Sequence, residues 1–445
     1  MDKVVYRRVM TLAFPVLVSN ILFTFQIIAD TIMLGRYPPA DISLSAVGLG
    51  FVLYHMFFPL TMGLVTGTIA IIARRWGEED YDEAGRVATD SVITLALLSI
   101  PIALFGIFVG PHAIYYLGAR GMVITEGTKY IQAIFAFYPF VALVIVYHGV
   151  LRAAGDTKTP MYVDIISNVY NVLMNYILIF GKFGFPELGV LGAGIATGTS
   201  YFVAFAVYML LQSGNKLIAH PVYSRDVKYR PDTVKKMLKI GIPAGIEMAM
   251  WSFSSIIFTV MILYFGTVGY SAYQIGLRAE SVAYMPAFAF GIAATTLSGQ
   301  CLGAKKEEDA KKAVFASTYL CLIFMAVAGL IFILIPEYIA MIFTGDEGVE
   351  TLAALYLLII GFSEPALGAF FTLAGGMRGA GYTKVPMIIN FMGLIVTRLT
   401  LSYALGFLLG MGLFGIWLGM AVETFLRAIA IYAVFIKGHW MQVKV

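Results

Sequence analysis

Charge is scarce in this chain: Asp, Glu, Lys and Arg make up 13% of its 445 residues, about half of what a soluble domain carries. The deficit argues against an ordinary soluble enzyme of several domains. Cysteine is nearly absent as well. Cys301 and Cys321 lie in or beside apolar stretches with no metal-ligand spacing, so neither structural zinc nor redox chemistry is expected. The five histidines are scattered, with His148 alone near a helix end, and no catalytic constellation forms; an enzyme is not expected. No GxxxxGK[ST] loop occurs and no soluble segment is large enough to hydrolyse ATP, which leaves an ion gradient as the simpler energy source. Basic residues form neither a tail nor a face, and the net charge is only +4, so nucleic acid is not an expected partner. The opening MDKVVYRRVM leads into a long apolar segment without a small-residue cleavage site. It reads as a retained first helix and not as a removed signal.

What is abundant is apolar sequence: 60% of residues are hydrophobic and the mean hydropathy is +0.85. A membrane-crossing helix needs about 20 apolar residues, and twelve segments of that kind can be read. The first six lie near 10–35, 46–73, 88–110, 128–150, 161–180 and 189–212; the second six lie near 238–265, 270–300, 313–335, 350–374, 386–409 and 412–436. The one long polar stretch, 213–236, divides the chain into a lobe over 1–212 and a lobe over 237–445, and reads as a cytoplasmic linker. With an even number of spans both termini share a side. The loops of that side hold 23 Lys and Arg, against four on the other (Arg36, Arg120, Lys129 and Lys182) and three within spans. The positive-inside rule therefore predicts cytoplasmic termini and a multi-pass protein of the cell membrane.

The two halves repeat one another. RAAGDTKTPM at 152–161 matches RGAGYTKVPM at 378–387 at seven of ten positions and an offset of 226. RWGEEDYDEAGR at 75–86 matches CLGAKKEEDAKK at 301–312, GVLGAGIA at 189 matches GLFGIWLG at 412, and Pro15 corresponds to Pro243. Six spans per half preserve orientation, so the repeat is parallel, about an axis along the membrane normal. The loop motif itself reads mechanically: a Gly-containing turn, then Pro at an early helical position, starts the fifth and eleventh spans sharply. Pro15 and Pro243 each remove a helical hydrogen bond and can kink their helices.

Carboxylates inside hydrocarbon are expensive and are functional candidates by default. Six qualify: Asp30, Asp164, Glu247, Glu280, Glu364 and Glu423. Asp30 lies 15 residues past Pro15, roughly 22 Å further along a helix, in the outer half of the first span. No basic residue is close in sequence, so it is suited to carry a proton or to bind a cation such as Na+. In the fifth span Asp164, Asn168, Asn171 and Asn175 fall on one helical face. Asp30 and the hydroxyls of Thr197, Thr199 and Ser200 could partner that stripe; Asp164, near a helix N-terminus, is its most structural member. Glu247 has Trp251 one turn away, an acid beside an aromatic that could receive a flat cation. Glu280 has Arg278 two residues away and Glu423 has Arg427 four away, so pairing within the helix or with another helix is the alternative for both.

ADTIMLG, LRAAGDTKTPM, MRGAGYTKVPM, NVLMNYILIFG followed by LGVLGAGIA, SAYQIGLRAES and SGQCLGAKK resemble the corresponding motifs of the multidrug and toxic compound extrusion (MATE) family, over almost the whole chain. The resemblance implies an all-α integral membrane protein of twelve transmembrane helices in two six-helix bundles, a V-shaped alternating-access transporter. It implies an antiporter that exports organic cations or amphipathic drugs in exchange for H+ or Na+, needing no cofactor and functioning as a monomer. By position Asp30 matches the family's acid on helix 1, Asn171 the Asn on helix 5 and Thr197 the hydroxyl on helix 6. Asn175 stands where some members carry a second acid, which leaves the coupling ion open between H+ and Na+. Glu247 and Glu280 occupy positions where relatives carry acids, so Glu247, Trp251 and Glu280 are the candidates for a substrate or second cation site. In this reading Asp30 binds the coupling cation from outside, alters the outer part of the first span and releases drug. The rival reading is a flippase for lipid-linked oligosaccharides, which would need a basic site; Arg278, Arg398 and Arg427 are the basic candidates within the spans.

Overall fold

The computed structural model describes residues 3–222 and 229–443, so residues 223–228 of the expected linker lie outside the described residues. Helices fill the chain, with no strand among the described residues. In hydrocarbon each backbone N–H and C=O needs an internal partner, and a helix supplies one without help from a neighbour. The first half comprises α1 (Lys3–Gly35), α2 (Ala40–Met56), α3 (Phe58–Gly77), α4 (Tyr81–Leu104), α5 (Gly110–Tyr116), α6 (Met122–Ala136), α7 (Tyr138–Ala154), α8 (Lys158–Phe180) and α9 (Gly189–Ser213). The second comprises α10 (Pro231–Leu263), α11 (Thr267–Ala283), α12 (Met285–Gly303), α13 (Glu307–Leu334), α14 (Pro336–Met341), α15 (Glu347–Gly379), α16 (Lys384–Phe391), α17 (Arg398–Tyr403) and α18 (Gly412–Ile436).

Ten helical stretches are long and apolar enough to cross a membrane, and two further pairs, α6 with α7 and α11 with α12, make twelve if each bent pair is one span. The pairs bend by 48° and 41°. Each bend precedes a proline at the second position of the following helix, Pro139 in α7 and Pro286 in α12, where the missing N–H costs nothing within that helix. Pro15 and Pro243, which can kink their helices, sit inside α1 and α10, and neither helix is broken there. Many apolar side chains on the long helices are exposed, among them Phe25, Ile28, Leu210, Val260 and Leu334. Water would penalise such surfaces; lipid accepts them.

The repeated turn has the expected form. Gly155 ends α7 at φ +95°, and the Asp156 carboxylate then accepts from the backbone N–H groups of Lys158 and Thr159 at 3.0 and 2.9 Å, starting α8. In the second copy Gly381 takes φ +80°, but Tyr382 replaces the capping acid.

The helices form two compact units. One contains Val18–Ile72 and Asp80–Gly241. In it α8 packs along α9, while α6 packs against α2 and α9 around Leu53, Tyr130, Phe135 and Tyr138. The other contains Met1–Leu17, Ala73–Glu79 and Ile242–Val445. Its centre is α15, wrapped by α11, α12, α13 and α18; 78% of the most apolar window of α15 is buried, against 22% for α10, so the protein and not lipid surrounds it.

Candidate functional site

In the unit that holds α8 and α9, the amide stripe of α8 meets the acid of α1. Asn175 Nδ2 donates to Asp30 Oδ1 at 2.5 Å and lies 3.0 Å from Asn171 Oδ1; Asn171 Nδ2 donates to Thr197 Oγ1 on α9 at 3.3 Å. Asn171 and Asn175 are fully buried, so packing fixes the amides that hold the carboxylate. The α-helical spacing that puts the two asparagines on one face thus builds a chain Asp30–Asn175–Asn171–Thr197 from three helices. No Lys, Arg or His pairs with Asp30 among the described residues. A carboxylate without a fixed counter-ion in apolar surroundings is stabilised by taking up a proton or a cation.

Asp30 opens on a cavity of about 270 Å³ whose polar lining includes Gln26, Asp30, Tyr54, Tyr130, Thr197 and Tyr201, with Phe23, Ile27 and Phe51 among the apolar walls. An acid beneath aromatic faces suits a cation with an apolar body. Sequence reasoning missed the tyrosines; Tyr201 was within reach, because it lies one turn from Thr197. Thr199 and Ser200, expected as partners of the stripe, turn back instead: Thr199 Oγ1 donates to the Ile195 carbonyl at 2.7 Å and Ser200 Oγ to the Thr197 carbonyl at 2.7 Å.

The opposite end of the stripe also differs from expectation. His148, expected to stand alone, has Nε2 3.5 Å from Asp164 Oδ1. Asn168 donates to the Asp164 backbone carbonyl at 2.7 Å, leaving its own Oδ1 buried and unbonded.

The second unit carries an ionic lattice. Glu423 on α18 receives Arg398 Nη2 at 2.8 Å through one oxygen, while Arg427 Nε lies 2.9 Å from the other; Arg427 Nη1 also donates to Asn390 Oδ1 at 2.6 Å. Eight residues of regular helix would set Asn390 and Arg398 about 80° apart. A wider π turn over 392–397 intervenes and rotates both toward α18, a device frequent at specialised sites. Glu247 lies 3.5 Å from Arg378 Nη2 through Oε1, while Oε2 is buried without a hydrogen bond. The ring of Trp251 has the guanidinium carbons of Arg427 and Arg398 5.0 and 5.7 Å from its centre and stacks on Phe371, so the chain's own cations already occupy its surroundings. Glu280 does not pair with Arg278; it accepts from the Tyr356 hydroxyl at 2.7 Å. Glu364 is fully buried with both oxygens unbonded. Among the described residues no group of three or more His, Cys, Asp or Glu is arranged to hold a metal ion.

The MatE family model matches residues 15–177 and again 243–404, once in each half. The chain is 30% identical to the "Probable multidrug resistance protein NorM" of Thermotoga maritima over 98% of this chain and 93% of that protein. It is 28% identical to the multidrug resistance protein PmpM of Pseudomonas aeruginosa, covering 94% and 88% of the two. Two solved structures share the fold. A MOP-superfamily transporter from Pyrococcus furiosus, described as having a binding pocket of reversed polarity, superposes with a TM-score of 0.91 at 21% identity over 99% of this chain and 97% of that one. A mutant of the Vibrio cholerae MATE transporter VcmN gives 0.90 at 21% identity over 97% and 96%.

Proposed function

The chain belongs to the MatE family, and from that premise we propose that it is a multidrug efflux antiporter, exporting organic cations or amphipathic drugs in exchange for H+ or Na+. The names of its relatives support the export of drugs. The observation that carries the coupling is Asp30, a carboxylate with no basic partner, held by Asn175 at 2.5 Å at the edge of a cavity walled by aromatic rings. One carboxylate can hold either the coupling ion or a cationic substrate. Mutual exclusion at Asp30 gives exchange, provided the ion and the drug favour different states of the protein.

Asn171, Asn175 and Thr197 fix the acid. We place Glu247, Trp251 and Glu280 second, because the guanidiniums of Arg398 and Arg427 beside Trp251 repel an incoming cation. The same two arginines are engaged by Glu423 and Asn390, which argues against a site for anionic lipid head groups. A monomer in the cell membrane with both termini on the cytoplasmic side completes the proposal.

Purified protein in liposomes, loaded with a fluorescent organic cation, tests it with a proton gradient and a Na+ gradient imposed separately. Efflux should follow one of the two and fall to the protein-free background in Asp30→Asn at equal protein content. Unchanged efflux in that variant would remove Asp30 from the coupling step; no efflux under either gradient would send the search to lipid carriers.

A further inference from the structure

We infer that the polar stripe of α8 is a proton route, with His148 and Asp164 as the station that releases to the cytoplasm the proton taken up at Asp30. This rests on the antiport reading above and commits it to H+. Asp164 and Asn175 are eleven residues apart on one face of α8, about 16 Å of helix. The outer end of the stripe is Asp30–Asn175–Asn171, joined by hydrogen bonds. The inner end is Asp164 with His148 Nε2 at 3.5 Å.

Between and around them lie polar atoms, buried and unbonded: Asn175 Oδ1, Asn168 Oδ1, His148 Nε2 and, from α9, Tyr208 OH. Such atoms are costly unless bridged, and two to four of them around a common space are what a buried water requires. Along α8 the members Asp164, Asn168, Asn171 and Asn175 follow one another at steps of four, three and four residues, about 4.5–6 Å of helix rise each, a spacing that bridging waters can span. Asn175 itself is fully buried, so solvent from the outer surface does not satisfy it.

The transfer balances. The Asp30 O–H bond breaks and leaves the carboxylate; each bridging water accepts one proton and passes one on; His148 Nε2 forms the new N–H bond. The charged groups facing His148 then decide how long it stays. Asp164 on α8 stabilises the imidazolium; Arg152, one turn along α7, opposes it; the Tyr208 ring lies 5.8 Å away on α9. Opposed neighbours of this kind suit a transient carrier more than a permanent ion pair. Chains of acid and histidine within a span are the recurring form of proton relays.

Proteoliposomes separate the two halves of the cycle. Exchange of labelled for unlabelled organic cation at equal pH on both sides needs no proton release, whereas efflux driven by a proton gradient does. His148→Gln and Asn168→Leu should lose at least about tenfold of proton-driven efflux, retain exchange within about twofold, and lose the dependence of the driven rate on cytoplasmic-side pH between about 5 and 8. Asn168→Ser, which keeps a polar atom and room for water, should restore driven efflux. Should His148→Gln fail to fold, the Asn168 pair decides. The inference is overturned by wild-type driven rates and pH profiles in the variants, by loss of exchange together with driven efflux in folded protein, or by wild-type efflux driven by Na+ without proton movement. Failure of the antiport reading itself would appear separately, as driven efflux insensitive to Asp30→Asn.

Discussion

At the scale of single residues, two acids within the spans are held in opposite ways. Asp30 is held by neutral amides and stays available, while Glu423 is locked between Arg398 and Arg427 at 2.8 and 2.9 Å with no exposure. Removing one partner from a buried ionic cluster strands the others, at a cost of about 3–5 kcal/mol. Glu423→Gln should therefore lower the melting temperature of the purified protein markedly, read by thermal scanning in detergent, whereas Asp30→Asn should melt close to wild type. Equal melting of the two would mean that Glu423 is dispensable to the fold. Asn175→Ala removes the donor to Asp30 while leaving the acid in place. It should weaken driven efflux severalfold without abolishing it, so it falls between wild type and Asp30→Asn in the same liposome assay. The acids, the asparagine stripe and Thr197 were legible in the sequence because charge and amides are rare in apolar helices. Their partners were less so: His148 looked solitary and Glu280 was left open between Arg278 and a partner on another helix, since separation along the chain says little about contacts between helices.

At the scale of elements, the site depends on how closely α8 and α9 approach. A Cβ at Gly192 would stand 2.7 Å from the backbone C and O atoms of Leu178, and backbone atoms cannot swing aside as a side chain can. Gly192→Val should push α9 from α8, lengthen the 3.3 Å Asn171–Thr197 contact, and reduce both exchange and driven efflux, because binding is disturbed as well as coupling. Retention of full exchange by a folded Gly192→Val protein would show that this approach does not set the site. Prolines marked the breaks between paired helices, at positions the sequence reading had not singled out. Pro139 and Pro286 follow bends of 48° and 41°, while Pro15 and Pro243 remain within continuous helices. A proline at the start of a helix lacks only an N–H that has no partner there, so the chain can turn before it; one in the interior removes a bond of the ladder without ending the helix.

At the scale of the whole molecule, the distribution of basic residues predicts which loops face the cytoplasm. Lys158 at the start of α8 and Lys182 beyond its end are both exposed and belong to opposite sides. In a background with Cys301 and Cys321 replaced by Ser, Lys158→Cys should react with an impermeant thiol reagent only after cells are opened, and Lys182→Cys in intact cells. The reverse pattern would invert the topology. Hydropathy placed all twelve spans close to the observed helices, down to 412–436 for α18, because burial in lipid acts on each helix by itself. The internal repeat and the acid of α1 were equally legible, the first from matched words and the second from the cost of charge in hydrocarbon. Only the tertiary structure joined His148 to Asp164 and Arg398 to Glu423, and chose Asn175 out of the stripe that Asp30 was expected to meet. Periodicity determines which residues share a face of one helix, but the neighbour that face meets is chosen by packing among helices far apart in the chain.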